Sequence, residues 1–205
     1  MRLLLPTFPE LDYQIVIDAL KGYAYPRKAL SDALARRDLI RIRKGLYVQS
    51  GRGIPPYSRE VLANMIYGPS YISYEYALAY YDLIPERVEE VTSATTGKSK
   101  SFTTPVGRFS YTHISTNYYC LGFGRKQLGD ERTFLIADPE KAVTDRVIRE
   151  KGRFSLRGMR QFLFDNLRID PAEFKNLDRG IIAEASRLTG RHSLAILLKV
   201  MEELL

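Results

Sequence analysis

The sequence predicts an α+β protein in two parts: two helices and a small hairpin first, then a mixed α/β domain with a helical carboxy terminus. Three observations predict it. Helical periodicity and a short alternating hairpin occupy the first 50 residues. The stretch GRGIPPYS, 51–58, places two glycines and two prolines in eight residues and reads as a boundary. Beyond it, strand patterns give way after Asp138 to helical ones that run to the end. The expected division is 1–53 and 54–205.

The elements follow in order. In LDYQIVIDALKG, Leu11, Ile15, Ile17 and the Ala19–Leu20 pair form an apolar stripe, and Gly22 sits where a helix ends. A second helix starts at Pro26, with Leu30, Ala33 and Leu34 on one face and Arg27, Lys28, Ser31, Arg36 and Arg37 around the rest. Ser58 caps a helix through Tyr67, and Ser73 caps YEYALAYYDL, whose Tyr74, Ala77, Leu78 and Tyr81 are core-spaced. VEEVTSAT and KSFTT flank Gly97 as a hairpin; GRFSYTHIS, YYCLGF and RTFLIA read as further strands. Asp138–Pro139 opens EKAVTDRVIRE, and RGMRQFLFDNL, the Asp170–Pro171 start and SLAILLKVMEELL complete the helices.

Composition is that of a globular protein, with 45% hydrophobic and 27% charged residues. Cys120 stands alone, so no internal disulfide forms and a reducing cytoplasm is the expected setting. The opening apolar triplet is broken by Pro6 and Pro9, too short for a signal segment, and no later run suggests a membrane span. The net charge of +7 is unevenly spread: residues 1–53 hold ten basic residues against five acidic ones. Eight basic and two acidic residues fall within 27–52, the pattern of a module that meets a polyanion.

RRDLIRIRKGLYVQS, 36–50, carries the most information. A three-residue loop, Arg43–Lys44–Gly45 with Gly45 left-handed, pairs Ile42 with Leu46 and Ile40 with Val48. All four apolar side chains then share a face that packs on the preceding helices, leaving Arg41 and Tyr47 outside and Arg43 and Lys44 at the tip. That is a winged-helix-like design with a cationic upper side. The DNA-binding candidates are Arg27, Lys28, Ser31, Arg36, Arg37, Arg41, Arg43, Lys44 and Arg52. Edge hairpins also carry Lys and Arg against aggregation, and helix C-termini favour Arg. Those accounts cover two or three residues, not a cluster spanning helix, hairpin and Arg52.

DALARRDLIRIRKGLYV, the segment YISYEYALAYYDLIPERVEEVTSATTGKSKSFTTPVGRFSYTHI, and ADPEKAVTDRV together resemble the AbiEi family over about residues 10–150. These are antitoxins of type IV toxin–antitoxin, abortive-infection systems used in phage defence. The resemblance implies a winged-helix domain that binds the protein's own promoter and a second domain that counteracts a nucleotidyltransferase-like toxin. Its DNA-contacting positions match Arg36, Arg37, Arg41, Arg43 and Lys44. One departure is that only two helices precede the hairpin, where a full winged helix has three. Either the 58–67 helix completes the module, moving its boundary to about 68, or the module is reduced.

Catalysis finds little support. Asp138 and Pro139 are explained as a helix start, and Asp145 is solvated or paired with Lys141 one turn away. His113 and His192 lie far apart in sequence with no neighbouring ligand, Cys120 sits in a buried-strand pattern, and LGFGRKQLG reads as a turn. No cofactor or metal is expected. Residues 146–168 form a second basic patch with seven cations and two acids, a DNA, RNA or acidic-partner contact or a solvated helix face. The expectation is a non-catalytic transcriptional regulator and antitoxin whose partners are duplex DNA and a toxin. Palindromic operators favour a homodimer. A protein-interaction module without DNA binding and a metal-dependent nuclease remain the alternatives.

Overall fold

The computed structural model describes residues 5–49, 51–129 and 131–204. It is α+β, with two sheets. The chain opens with β1 (Glu10–Asp12), α1 (Tyr13–Ala19), α2 (Pro26–Ala35), β2 (Leu39–Arg43) and β3 (Leu46–Gln49), and the strands pair antiparallel in the order β1-β3-β2. Asp12 caps α1 by accepting from the Ile15 amide at 2.8 Å. Pro26 opens α2. That helix closes with two amides reaching back, Arg37 to Leu34 at 3.1 Å and Asp38 to Ala33 at 2.9 Å. This closure needs a left-handed residue, and Arg37 supplies it at φ 61°.

The rest of the chain runs α3 (Arg59–Ile66), β4 (Ser70–Ile72), α4 (Tyr74–Tyr80), β5 (Val91–Thr95), β6 (Lys100–Thr104), β7 (Gly107–His113), α5 (Thr116–Tyr119), β8 (Phe123–Gln127), β9 (Thr133–Ala137) and α6 (Pro139–Arg149). It ends with α7 (Leu156–Arg160), which continues as a π-helix over Gln161–Asn166, then α8 (Pro171–Lys175), α9 (Arg179–Thr189) and α10 (His192–Glu202). Its sheet has the order β6-β7-β5-β4-β9-β8, with β5/β7 and β4/β9 parallel and the other pairs antiparallel. Among the described residues, no helix is long and apolar enough to cross a membrane.

Several sequence expectations change. β5 and β6 do not pair with each other; β7 lies between them. All five residues of β5 are buried and so need neighbours on both edges, whereas β6 is largely exposed and suits an edge. The expected strand YYCLGF splits into α5 and the start of β8, broken by left-handed Gly122, and Cys120 is exposed rather than buried. LGFGRKQ, expected as a turn, is mostly β8. α3 places Leu62, Ala63 and Ile66 in the large core, which the hairpin residues Ile42, Leu46 and Val48 also join.

The hairpin differs most. Its loop is the two-residue turn Lys44–Gly45, Ile40 pairs with Val48 and Arg41 with Tyr47, but Arg43 rather than Ile42 pairs with Leu46, across a bulge. Ile40 is exposed. Both faces of the hairpin are buried instead of one. Leu39 and Tyr47 join Leu11, Val16, Leu20, Leu30 and Ala33 in a small core under the helices. Ile42, Leu46 and Val48 join the large core. Tyr47, expected outside, is 2% exposed. With apolar residues demanded on both sides, keeping them all on one face no longer decides the register.

Candidate nucleic-acid interface

α2 is held by Leu30 and Ala33 against the small core, which fixes what it presents outward. Lys28, Ser31, Asp32 and Ala35 occupy the opposite side and Arg27 the flank, all exposed. All nine predicted DNA-binding residues are exposed. Their charge is not equally available. Arg36 is spent on Asp38, with Nη2 2.9 Å from the carboxylate. The Arg41 guanidinium lies 5.8 Å from the Tyr47 ring centroid. Arg43 turns into the molecule: Nη1 donates to the Ile66 carbonyl at the end of α3, and its guanidinium sits 5.6 Å from the Phe102 ring. Among the described residues, Arg27, Lys28, Arg37, Lys44 and Arg52 have no side-chain hydrogen bond or ion pair.

Sequence reasoning missed Asp32 and Ala35, which share the outward face of α2 with Lys28 and Ser31. The helical spacing 28, 31, 32, 35 carries that signal. An acid there accepts from the cytosine amino group, and a methyl side chain suits thymine.

The part meets its neighbour through a polar latch. Glu10, 6% exposed, accepts from the Ser58 amide at 2.6 Å and from Arg132 at 2.9 Å, and Arg132 also donates to the Pro56 carbonyl at 3.1 Å. A buried carboxylate is tolerable because each of its oxygens has a donor. The tip is tied as well, with the Tyr13 amide donating to Gly45 O at 2.9 Å.

A second polar constellation lies within the large core. α6 stacks Lys141 and Asp145 one turn apart, with 3.2 Å between Nζ and Oδ1, and both are fully buried, not solvated. Asp145 also accepts from Tyr118 Oη at 2.7 Å, Ser73 Oγ at 2.6 Å and Tyr71 Oη at 3.0 Å. Lys141 donates to the Tyr118 carbonyl at 3.2 Å. Burial pushes the Lys141 ammonium down to about 8 against the opposing pull of Asp145. Burial, then the Asp145 charge, drives the Tyr71 and Tyr118 phenols far above their usual range. Tyr74, beside this group, is held left-handed at φ 58°. Every charged atom is satisfied internally, so the group ties β4, α4, α5 and α6 together.

His113 Nδ1 lies 2.9 Å from the Gly97 carbonyl and its ring is exposed. Among the described residues, no group of three His, Cys, Asp or Glu side chains could hold a metal ion. Neither a protein-family model nor a curated protein matches this chain.

Proposed function

We propose that this protein is a non-catalytic, DNA-binding transcriptional regulator and antitoxin. The observation that carries the reading is the outward side of α2 and the turn after it, where Lys28, Arg27 and Arg37 stand exposed and unpaired beside exposed Ser31, Asp32 and Ala35. The order β1-α1-α2-β2-β3 supports the reading, because it resembles a winged helix short of its first helix in which α2 corresponds to the recognition helix. Arg41, Lys44 and Arg52 add phosphate contacts, while Arg36 and Arg43 contribute less because other groups hold them. Six such contacts to phosphates, each displacing counterions condensed on the duplex, give a log–log salt slope of roughly −5.

The antitoxin half rests on the AbiEi-like segments, from which a cytoplasmic setting, self-repression and opposition to a nucleotidyltransferase-like toxin follow. A homodimer would match a palindromic operator. Fluorescence anisotropy with duplex DNA from upstream of the protein's own gene tests the first half. Specific, salt-sensitive binding that falls at least tenfold in Lys28→Ala/Arg37→Ala supports the reading; equal binding to unrelated duplex at every salt concentration overturns it. The second half requires an adjacent reading frame encoding a nucleotidyltransferase-like protein whose toxicity this chain relieves on co-expression.

A further inference from the structure

The loop joining α6 to α7 and the π-helical turn line an open cleft of about 530 Å³. That is within the usual size of small-molecule sites, roughly 300–1,000 Å³. Its charge is specific. Arg146, on the inner wall, is neutralised by Glu75 at 2.8 Å and by Glu150 at 2.7 Å. Lys151 and Arg153, on the loop, have no carboxylate partner among the described residues and flank Gly152, whose φ of 111° makes the turn between them. Two cations are thus left facing one mouth.

The opposite wall is built differently. The Leu167 amide reaches the Phe162 carbonyl five residues back, at 2.9 Å. In an α-helix, residues five apart diverge around the axis; the wider π turn brings them back toward one side. Gln161 and Asn166 are such a pair, and both line the cleft with their amides unengaged among the described residues. Phe154 packs on Phe162 with ring centroids 5.2 Å apart and supplies an apolar wall. A bare anion would need only the cations. Amide donors and acceptors beside an aromatic ring suit a planar, hydrogen-bonding base.

The geometry points to a nucleoside-phosphate site in which Lys151 and Arg153 hold the phosphates and Gln161, Asn166 and Phe154 hold the base. It is independent of the DNA-binding reading, which concerns the other end of the chain. Isothermal titration of the full chain with ATP, GTP, CTP and UTP, with EDTA present and pyrophosphate as the control, tests it. At least one nucleotide should bind saturably and more tightly than pyrophosphate. Lys151→Ala/Arg153→Ala should weaken it about tenfold or more, as loss of charge-assisted contacts does. Gln161→Ala should narrow the preference among bases while leaving pyrophosphate unchanged. Both altered cations are exposed, so circular dichroism should report an unchanged fold. Absence of nucleotide binding at millimolar concentration, binding indifferent to the double variant, or pyrophosphate binding as tightly as every nucleotide would overturn the proposal.

Discussion

Arg37 holds a left-handed backbone where glycine is the usual occupant, at a cost of about 1 kcal/mol. Its side chain makes no hydrogen bond or ion pair among the described residues, and the backbone closure of α2 that uses this conformation is one glycine would keep. Arg37→Gly should therefore raise stability by about 1 kcal/mol, near 3 °C in Tm for a chain of this size, while weakening operator binding. Parallel calorimetry and anisotropy check both; a variant that gains stability and keeps full affinity would leave Arg37 without a DNA role. The buried pair makes a second prediction. Asp145→Ala strands a buried ammonium and leaves three hydroxyl donors without their acceptor, costing about 3–5 kcal/mol. Lys141→Met should cost less, because the carboxylate keeps those three donors. The pH dependence has two signs. Lys141, depressed to about 8, is destabilising while charged, so stability should rise as pH climbs from about 8 toward its unfolded value near 10.4. Tyr71 and Tyr118 are raised; they stay protonated when the unfolded chain ionises near pH 10, so their contribution is lost above that value. Denaturant titrations across pH 7–11 should show the rise in the parent protein, its absence in Lys141→Met, and the fall above pH 10 in both.

At the scale of the element, the hairpin shows why an arginine at a tip need not face DNA. α3 ends at Ile66 with a carbonyl no helical amide reaches, and Arg43 supplies both the donor and the positive charge that a helix C-terminus favours. Arg43→Ala should accordingly lower stability by about 1–2 kcal/mol and leave DNA affinity nearly unchanged, whereas Lys28→Ala should do the reverse. Chemical denaturation and anisotropy on the two variants separate the roles. The same hairpin marks the limit of what the sequence made legible. Helices such as α6 and α10 and the strands β7 and β9 were readable because periodicity, joined at α6 by the Asp138–Pro139 start, is a local signal. β1 and β4, three residues each, are too short to alternate. The partner of β5 depended on burial, which spacing alone does not encode. In the candidate interface, the exposure of all nine residues followed from helix faces and turn positions. The diversion of Arg43 did not, because Ile66 and Phe102 reach it only through tertiary packing.

For the whole molecule, the decisive feature is that one two-stranded ribbon serves two cores. Leu39 and Tyr47 complete the small core beneath α1 and α2, while Ile42, Leu46 and Val48, on the other face, complete the large one. The Glu10–Arg132 pair, 2% and 13% exposed in its side chains, adds a buried polar tie across the same junction. Cutting the chain after Tyr57 would expose those three aliphatic side chains and strand Glu10 without its arginine. At about 1.5–3 kcal/mol each, the aliphatic losses alone reach roughly 5–9 kcal/mol, comparable to the whole stability of a typical domain. A fragment under 60 residues is already marginal. Residues 1–57 expressed alone should therefore lack a cooperative thermal transition by circular dichroism, and the full chain should unfold in one calorimetric step. Arg132→Ala should lower that single Tm without splitting it, since it weakens the tie but leaves the ribbon shared. A fragment that melts cooperatively, or a full chain with two resolved transitions, would mean that the α2 face moves independently of the large core. In the shared-ribbon molecule, whatever strains the large core near Ile42 and Val48 also reaches the sheet against which α2 is seated, a physical route from the second part to the side proposed to meet DNA.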